Sequence, residues 1–307
     1  MRLGLCCTFL EQPIHFRRTT ARYLSRLAED ERSAFLRALL GDNAAALRSA
    51  LEWCAAHGVG AFRLSSQIFP VYTHPEVGYR LESLDPSGEI RAAYLRAGAL
   101  ARRLGIRLSL HPDPFVVLGS SSEEVVQKSV EEIEYHAEVA ALVGAAQLTI
   151  HGGGAQGGKE EALVRLRRGL AQLRPRTRAL LVLENDDKIY TVADLLPLCR
   201  QEGIPLVYDV HHHRCNPDGL GEEEAAEACF ATWGEREPWA HVSSPRDGWE
   251  GPKPRLHADS IDPDDFPKSW LGRTLTVDVE AKAKELAVLK LARDLGLGTG
   301  PALLGVD

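Results

Sequence analysis

No stretch of the chain approaches the ~18 consecutive apolar residues of a membrane span, so no transmembrane segment is expected. The opening Met1–Leu10 holds one Arg and a short apolar run broken by two Cys, too short for a signal peptide. The six cysteines (Cys6, Cys7, Cys54, Cys199, Cys215, Cys229) contain no CxxC pair. They read as free thiols in a reducing compartment, and a cytoplasmic location is expected. Adjacent residues of a strand point to opposite faces, which argues against Cys6 and Cys7 as joint ligands. A Gly-rich dinucleotide fingerprint is also missing. His151-Gly152-Gly153-Gly154 lacks the GxGxxG spacing and reads as a flexible loop, so no nucleotide cofactor is expected. The net charge of −7 argues against a general polyanion binder, although a local basic site can coexist with it.

What is present alternates. Short apolar runs at Arg2–Cys7, Gly60–Ser65, Ile106–His111, Gln147–His151, Ala179–Glu184, Leu206–Val210, Trp239–Ser243 and Leu275–Glu280 read as strands. Amphipathic runs between them read as helices: Asn43–Ala56, Glu89–Leu104, Ser122–Leu142, Lys159–Leu173, Val192–Gln201, Glu222–Thr232 and Ala281–Leu295. Ser122-Glu123-Glu124 supplies a capping hydroxyl with acids in the first turn, and Gly105 and Gly203 stand where helices should stop. Continuously apolar strands alternating with helices imply a parallel sheet covered on its outside. Eight such units in 307 residues predict a closed (β/α)₈ barrel in a single domain over 1–285, followed by a C-terminal helix and tail over 286–307. The Pro-rich stretch Gly251–Pro267 reads as a long functional loop.

In such a barrel, side chains at the C-terminal ends of the strands converge on the active site. Those ends carry His111, His151, Glu184, Asp209, His241 and Glu280; His211-His212-His213 follow the sixth strand, and His257 lies in the long loop. A lone strand-end His is usually a satisfied polar group, but six polar strand ends in series are not a random placement. Imidazole with carboxylate suits Mn, Zn or Fe rather than Ca or a thiolate zinc site. Loop cations on the same face (Arg17, Arg18, Arg22, Lys159, Arg214, Arg246, Lys253, Arg255) fit a phosphate backbone, ordinary surface charge being the alternative. The acid runs Glu29-Asp30-Glu31, Glu131-Glu132 and Glu222-Glu223-Glu224 read as solvated helix surfaces.

In order along the chain, these residues resemble the UV damage endonucleases of the UvsE/UVDE type. The resemblance runs through Gly4-Leu5-Cys6-Cys7, Phe16-Arg17-Arg18-Thr19-Thr20, Phe62-Arg63-Leu64-Ser65-Ser66, Pro70 and Thr73-His74-Pro75. It continues in His111-Pro112, His151-Gly152-Gly153, Leu183-Glu184-Asn185-Asp186-Asp187, Asp209 with His212, His241-Val242-Ser243-Ser244-Pro245, His257-Ala258-Asp259 and Glu280-Ala281-Lys282. It implies a TIM barrel related in design to endonuclease IV, carrying up to three divalent ions, usually Mn. His111, His151 and Glu184 would hold one ion. Glu184, Asp209, His241 and Glu280 would hold a second, with Glu184 bridging, and His212 and His257 a third. Glu184, Glu280 and His241 would be the catalytic core, with His74 and Lys282 beside it. The implied activity is hydrolytic, metal-dependent nicking of double-stranded DNA immediately 5′ of UV photoproducts, by a monomer. Phe115 would wedge or stack at the lesion, with Pro114 beside it and Arg17, Arg18, Lys159 and Arg246 near the backbone.

Two positions depart from the family pattern. Relatives usually carry Gln where this chain has Pro114, and many carry Lys where it has Trp239. Two other functions fit part of the pattern. A xylose-isomerase-like sugar isomerase or epimerase with one divalent metal shares the Glu184, Asp209, His241, Glu280 order. A damage-binding protein without turnover would share the loop features.

Overall fold

The strands are short: β1 Arg2–Cys6, β2 Ala61–Leu64, β3 Arg107–Leu110, β4 Gln147–His151, β5 Leu181–Glu184, β6 Leu206–Asp209, β7 Trp239–Val242 and β8 Thr276–Val279. In the computed structural model, which describes residues 1–298, they close in sequence order into one barrel. Every neighbouring pair is parallel, and β1 meets β8 with Arg2 opposite Thr276 and Leu5 opposite Val279. Helices lie between the strands, so the chain is a (β/α)₈ TIM barrel, as predicted. Among the described residues, no helix is long and apolar enough to cross a membrane.

Several element boundaries differ from the sequence expectation. The helix predicted from Asn43 begins at Glu29 and runs to Ala56. Gly41-Asp42-Asn43 looks like a start signal, but a Cβ at Gly41 would meet open space, and Leu36, Leu39 and Leu40 are already buried before it. Asn43 is buried mid-helix as a clasp, accepting from the Arg17 N–H at 2.7 Å and donating to Arg17 O and Ile68 O. The strand predicted from Ala179 begins at Leu181, because Pro175–Arg178 forms a helical turn. β6 ends at Asp209, and the helix Val210–Cys215 starts at once, with Asp209 Oδ1 accepting from the His212 N–H at 2.8 Å.

The last helix starts at Glu285 rather than Ala281 and ends at Asp294. It buries Ala287, Val288 and Leu291, and the Glu285 carboxylate accepts from the Leu10 and Glu11 N–H groups at 2.7 Å each and from Gln12 at 3.3 Å. Residues 299–307 of the expected tail lie outside the described residues.

Trp239 fills the barrel interior two residues before His241, so it sits one layer beneath it. It is fully buried with Ala61, Val182, Val207 and Trp233, and the Arg107 guanidinium lies 4.3 Å from its ring centre. The Gly152-Gly153 loop packs against Tyr190. A Cβ at Gly152 would fall 2.5 Å from the Tyr190 ring, Gly153 has φ +86°, and the Tyr190 hydroxyl donates to Gly154 O at 3.1 Å.

Candidate metal centre

The barrel delivers donors to one point. His151, Glu184 and Asp209 are the last residues of β4, β5 and β6; His111 and Glu280 follow β3 and β8 directly; His241 is the third residue of β7. Glu184 is the hub, 1% exposed. Its Oε2 lies 2.9 Å from His111 Nε2 and 3.9 Å from His151 Nε2. Its Oε1 lies 2.8 Å from His241 Nδ1 and 3.4 Å from His212 Nδ1. Donor atoms of His111, His151 and Glu184 all fall within 4.8 Å of one another, and so do those of Glu184, Asp209 and His212. The two sets share Glu184.

The remaining candidates ring this pair. His241 Nδ1 is 3.6 Å from Glu280 Oε1 and 3.9 Å from Asp209 Oδ2. His257 reaches the site because the long loop folds back: Pro245 and His257 form an antiparallel bridge, and the Ala258 N–H donates to Ser244 O at 2.8 Å. Its Nδ1 comes 3.8 Å from Glu280 Oε2, whereas its ring centre is 6.5 Å from that of His212.

Protonation chemistry shows that the donor set fits a divalent ion. His111 Nδ1 faces the Pro112 carbonyl at 3.0 Å, and that oxygen can only accept. Nε2 then meets a carboxylate oxygen that also only accepts, so the contact needs a cation between them: a second proton on the ring or a metal ion. Asp209 Oδ2 and His151 Nδ1 are buried with no hydrogen-bond partner, which is costly for a site meant to stay bare. Burial opposes ionisation of Glu184, but His241, His151 and the hydrogen bonds from His111 and His212 outweigh it and hold the carboxyl well below the usual range. Glu280 is 17% exposed, and against its partial burial Arg63 and His241 hold its carboxyl well below its ordinary value. Burial pushes His151 down, towards the neutral form that ligates metals.

The outer residues are dispersed. His74 is tied into its own turn, its Nδ1 accepting from the Glu76 N–H at 3.2 Å and the Val77 N–H at 3.4 Å. It lines a cleft of about 1000 Å³ with Tyr72, Phe115 and Lys128. Pro114 is exposed and Phe115 is 66% exposed at that cleft. Lys282 is exposed, its backbone N–H donating to Ala258 O at 3.1 Å. Three of the four loop cations singled out for DNA are already paired: Arg17 with Asp42 at 2.5 Å, Lys159 with Asp194 at 2.6 Å and Arg246 with Asp247 at 2.8 Å. Arg18 is exposed and makes no ion pair among the described residues. Glu132 is not the solvated surface acid expected. The loop after β2 folds onto its helix, and Thr73 Oγ1 donates to Glu132 at 2.7 Å.

Sequence reasoning passed over Arg63, Asn185 and Asp278 as site residues. All three are buried at the cluster. The available signal was a charged or amide side chain inside an otherwise apolar strand or at its exit, as in Phe62-Arg63-Leu64 and Val277-Asp278-Val279.

Comparison with known proteins bears on the family and the fold. The family model described as UV-endonuclease UvdE matches residues 1–299. A UV DNA damage endonuclease of Bacillus cereus is 33% identical over 281 residues, covering 88% of this chain and 86% of that protein. The crystal structure of SacUVDE superposes with a TM-score of 0.85 at 30% identity, covering 96% of this chain and 98% of the other. Endonuclease IV from Thermus thermophilus shares the fold, with a TM-score of 0.59 at 18% identity over 96% of this chain and 98% of its own. Matched along nearly its whole length, the chain belongs to the UV-endonuclease UvdE family.

Proposed function

We propose that this protein is a DNA repair endonuclease that hydrolyses the phosphodiester backbone immediately 5′ of UV photoproducts in double-stranded DNA, acting as a monomer with divalent ions, Mn being the ion of choice. The observation that carries this reading is the sharing of Glu184 between two donor sets, His111–His151 and Asp209–His212. When bound, divalent ions supply a nucleophile from water at neutral pH and neutralise charge building on the phosphoryl oxygens. His111, His151 and Glu184 would hold one ion. Glu184, Asp209, His241 and Glu280 would surround a second, and His257 with His212 would border a third.

The chain's own part is positioning. Strand ends fix the donors on a rigid wall, and the Pro112 and Asn185 carbonyls orient His111 and His212 through their Nδ1 atoms at 3.0 and 2.9 Å. Phe115, exposed on the loop that follows His111, would stack where pairing is already weakened by a lesion. A one-ion sugar isomerase would use Glu184, Asp209, His241 and Glu280 and leave His111 and His151 without a task. Their approach to Glu184 Oε2 supports the nuclease.

End-labelled, UV-irradiated duplex incubated with the purified protein and Mn should yield a nick directly 5′ of each photoproduct, abolished by chelation. Intact DNA under these conditions, with one tightly held ion per chain, would overturn the reading in favour of the isomerase.

A further inference from the structure

Beneath the donor cluster lies a buried cation. Arg63 on β2 is 7% exposed, and its guanidinium reaches across the barrel to side chains of β7 and of the end of β8. Nε donates to Asp278 Oδ2 at 3.0 Å, and Nη2 lies 2.9 Å from the same oxygen. Nη1 donates to Glu280 Oε1 at 2.5 Å, and Nη2 lies 2.8 Å from His241 Nε2. One planar fork therefore touches two side chains of the candidate centre and the aspartate below them. Asp278 is held from the other side by space: a Cβ at Gly4 would fall 2.1 Å from its Oδ1, so only glycine on β1 leaves it room.

A guanidinium has donors and no acceptor, so His241 Nε2, facing it, must accept. That assignment fixes the ring's orientation and makes Nδ1 the protonated nitrogen, donating to Glu184 Oε1 at 2.8 Å and facing Asp209 and Glu280. The same fork occupies Glu280 Oε1 and leaves Oε2 directed at His257. Glu184, Asp209 and Asp278 are buried and Glu280 is 17% exposed, so four carboxylates gather around this one guanidinium, and their mutual repulsion would drive them apart without a fixed positive charge among them.

We propose that Arg63 is the positioning residue of this centre: it sets the orientation of His241 and Glu280 and keeps the carboxylate layer assembled before any ion arrives. The inference rests on the metal-nuclease reading above but has a separate readout. A lysine cannot reproduce it, because a single ammonium replaces a planar fork that meets three partners at once.

The test is Mn binding by calorimetry, without DNA, to wild type, Arg63→Met and Arg63→Lys, with circular dichroism to establish folding. Loss of an outer partner that orients ligands should weaken Mn binding by about 10–100-fold in Arg63→Met, with Arg63→Lys recovering only part of it. In nicking assays kcat should fall while KM for damaged DNA stays near wild type. A folded Arg63→Met protein with wild-type Mn affinity and stoichiometry overturns the proposal, and so does full recovery by lysine. If Arg63→Met does not fold, Asp278→Asn removes the anchor and leaves Arg63 in place. Its Mn affinity should also fall, and an unchanged value counts against the inference. Normal Mn uptake by wild type without any nicking would refute the nuclease reading and leave the role of Arg63 standing.

Discussion

Asn185 and Asp209 exchange a pair of hydrogen bonds in which a side chain stands in for a backbone: Asn185 Nδ2 donates to Asp209 O, and the Asp209 N–H donates to Asn185 Oδ1, both at 2.9 Å. The β5–β6 ladder pairs Leu183 with Leu206 and Glu184 with Val207, and the amide continues it by one more rung. Replacing Asn185 with Leu would strand two buried backbone groups of a candidate ligand. Stability should drop by roughly 2–6 kcal/mol, counting 1–3 for each unsatisfied group. Urea denaturation measures this, and an unchanged midpoint would show that the pair is dispensable.

Glu184→Gln tests the shared donor. Gln keeps the volume but removes the charge to which His111, His151, His212 and His241 are directed. Nicking of irradiated DNA should fall to background while the circular dichroism spectrum is preserved. Near-normal turnover would exclude a bridging role.

Phe115→Ala tests the stacking role. An exposed ring at the rim of the cleft contributes little to the core, so the fold should be unaffected. Preference for damaged over undamaged duplex should shrink by about 1–3 kcal/mol, the usual contribution of one base–aromatic stack. Competition binding reads this directly, and an unaltered preference would eliminate Phe115 as the wedge.

His136 gives the stability a pH dependence away from the active centre. Burial within the helix Glu123–Val143 pushes its pKa down to about 4, with the Glu132 carbonyl, 2.7 Å from Nδ1, opposing the shift. The unfolded chain takes up this proton near the ordinary histidine value and the folded chain does not, so stability is intact above about pH 6.5 and declines as pH falls towards 4. The loss approaches about 3 kcal/mol at the lower end. His136→Gln should flatten this part of the profile in urea titrations at pH 7.5 and 5, and a variant as pH-sensitive as wild type would refute the assignment.

The barrel and the strand-end donors were legible because a closed parallel sheet imposes a simple rule: apolar strands and polar C-terminal ends. His151, Glu184 and Asp209 stand at strand ends as that rule requires. What escaped depends on partners distant in sequence. Asn43 resembles a helix start until the Arg17 loop that it clasps is in place. His257 stands among the candidate ligands, but the bridge to Pro245 that turns its loop inward has no mark in the sequence. Arg63 carries no local mark of its three partners, all of which lie at least 178 residues further on. Pairing of the loop cations with Asp42, Asp194 and Asp247 is likewise invisible to composition, which counts charges without locating them.

The closure of β1 against β8 has a consequence for synthesis. The first strand to leave the ribosome needs the last as its second neighbour, and the Leu10–Gln12 turn waits for the Glu285 carboxylate. Until both have emerged, the nascent chain carries an open sheet edge along β1 and unmet amides at Leu10–Gln12. Completion of the barrel therefore waits for β8 and the Glu285 turn, and a chain stopped short of Glu285 is left with the hazards of an unclosed sheet.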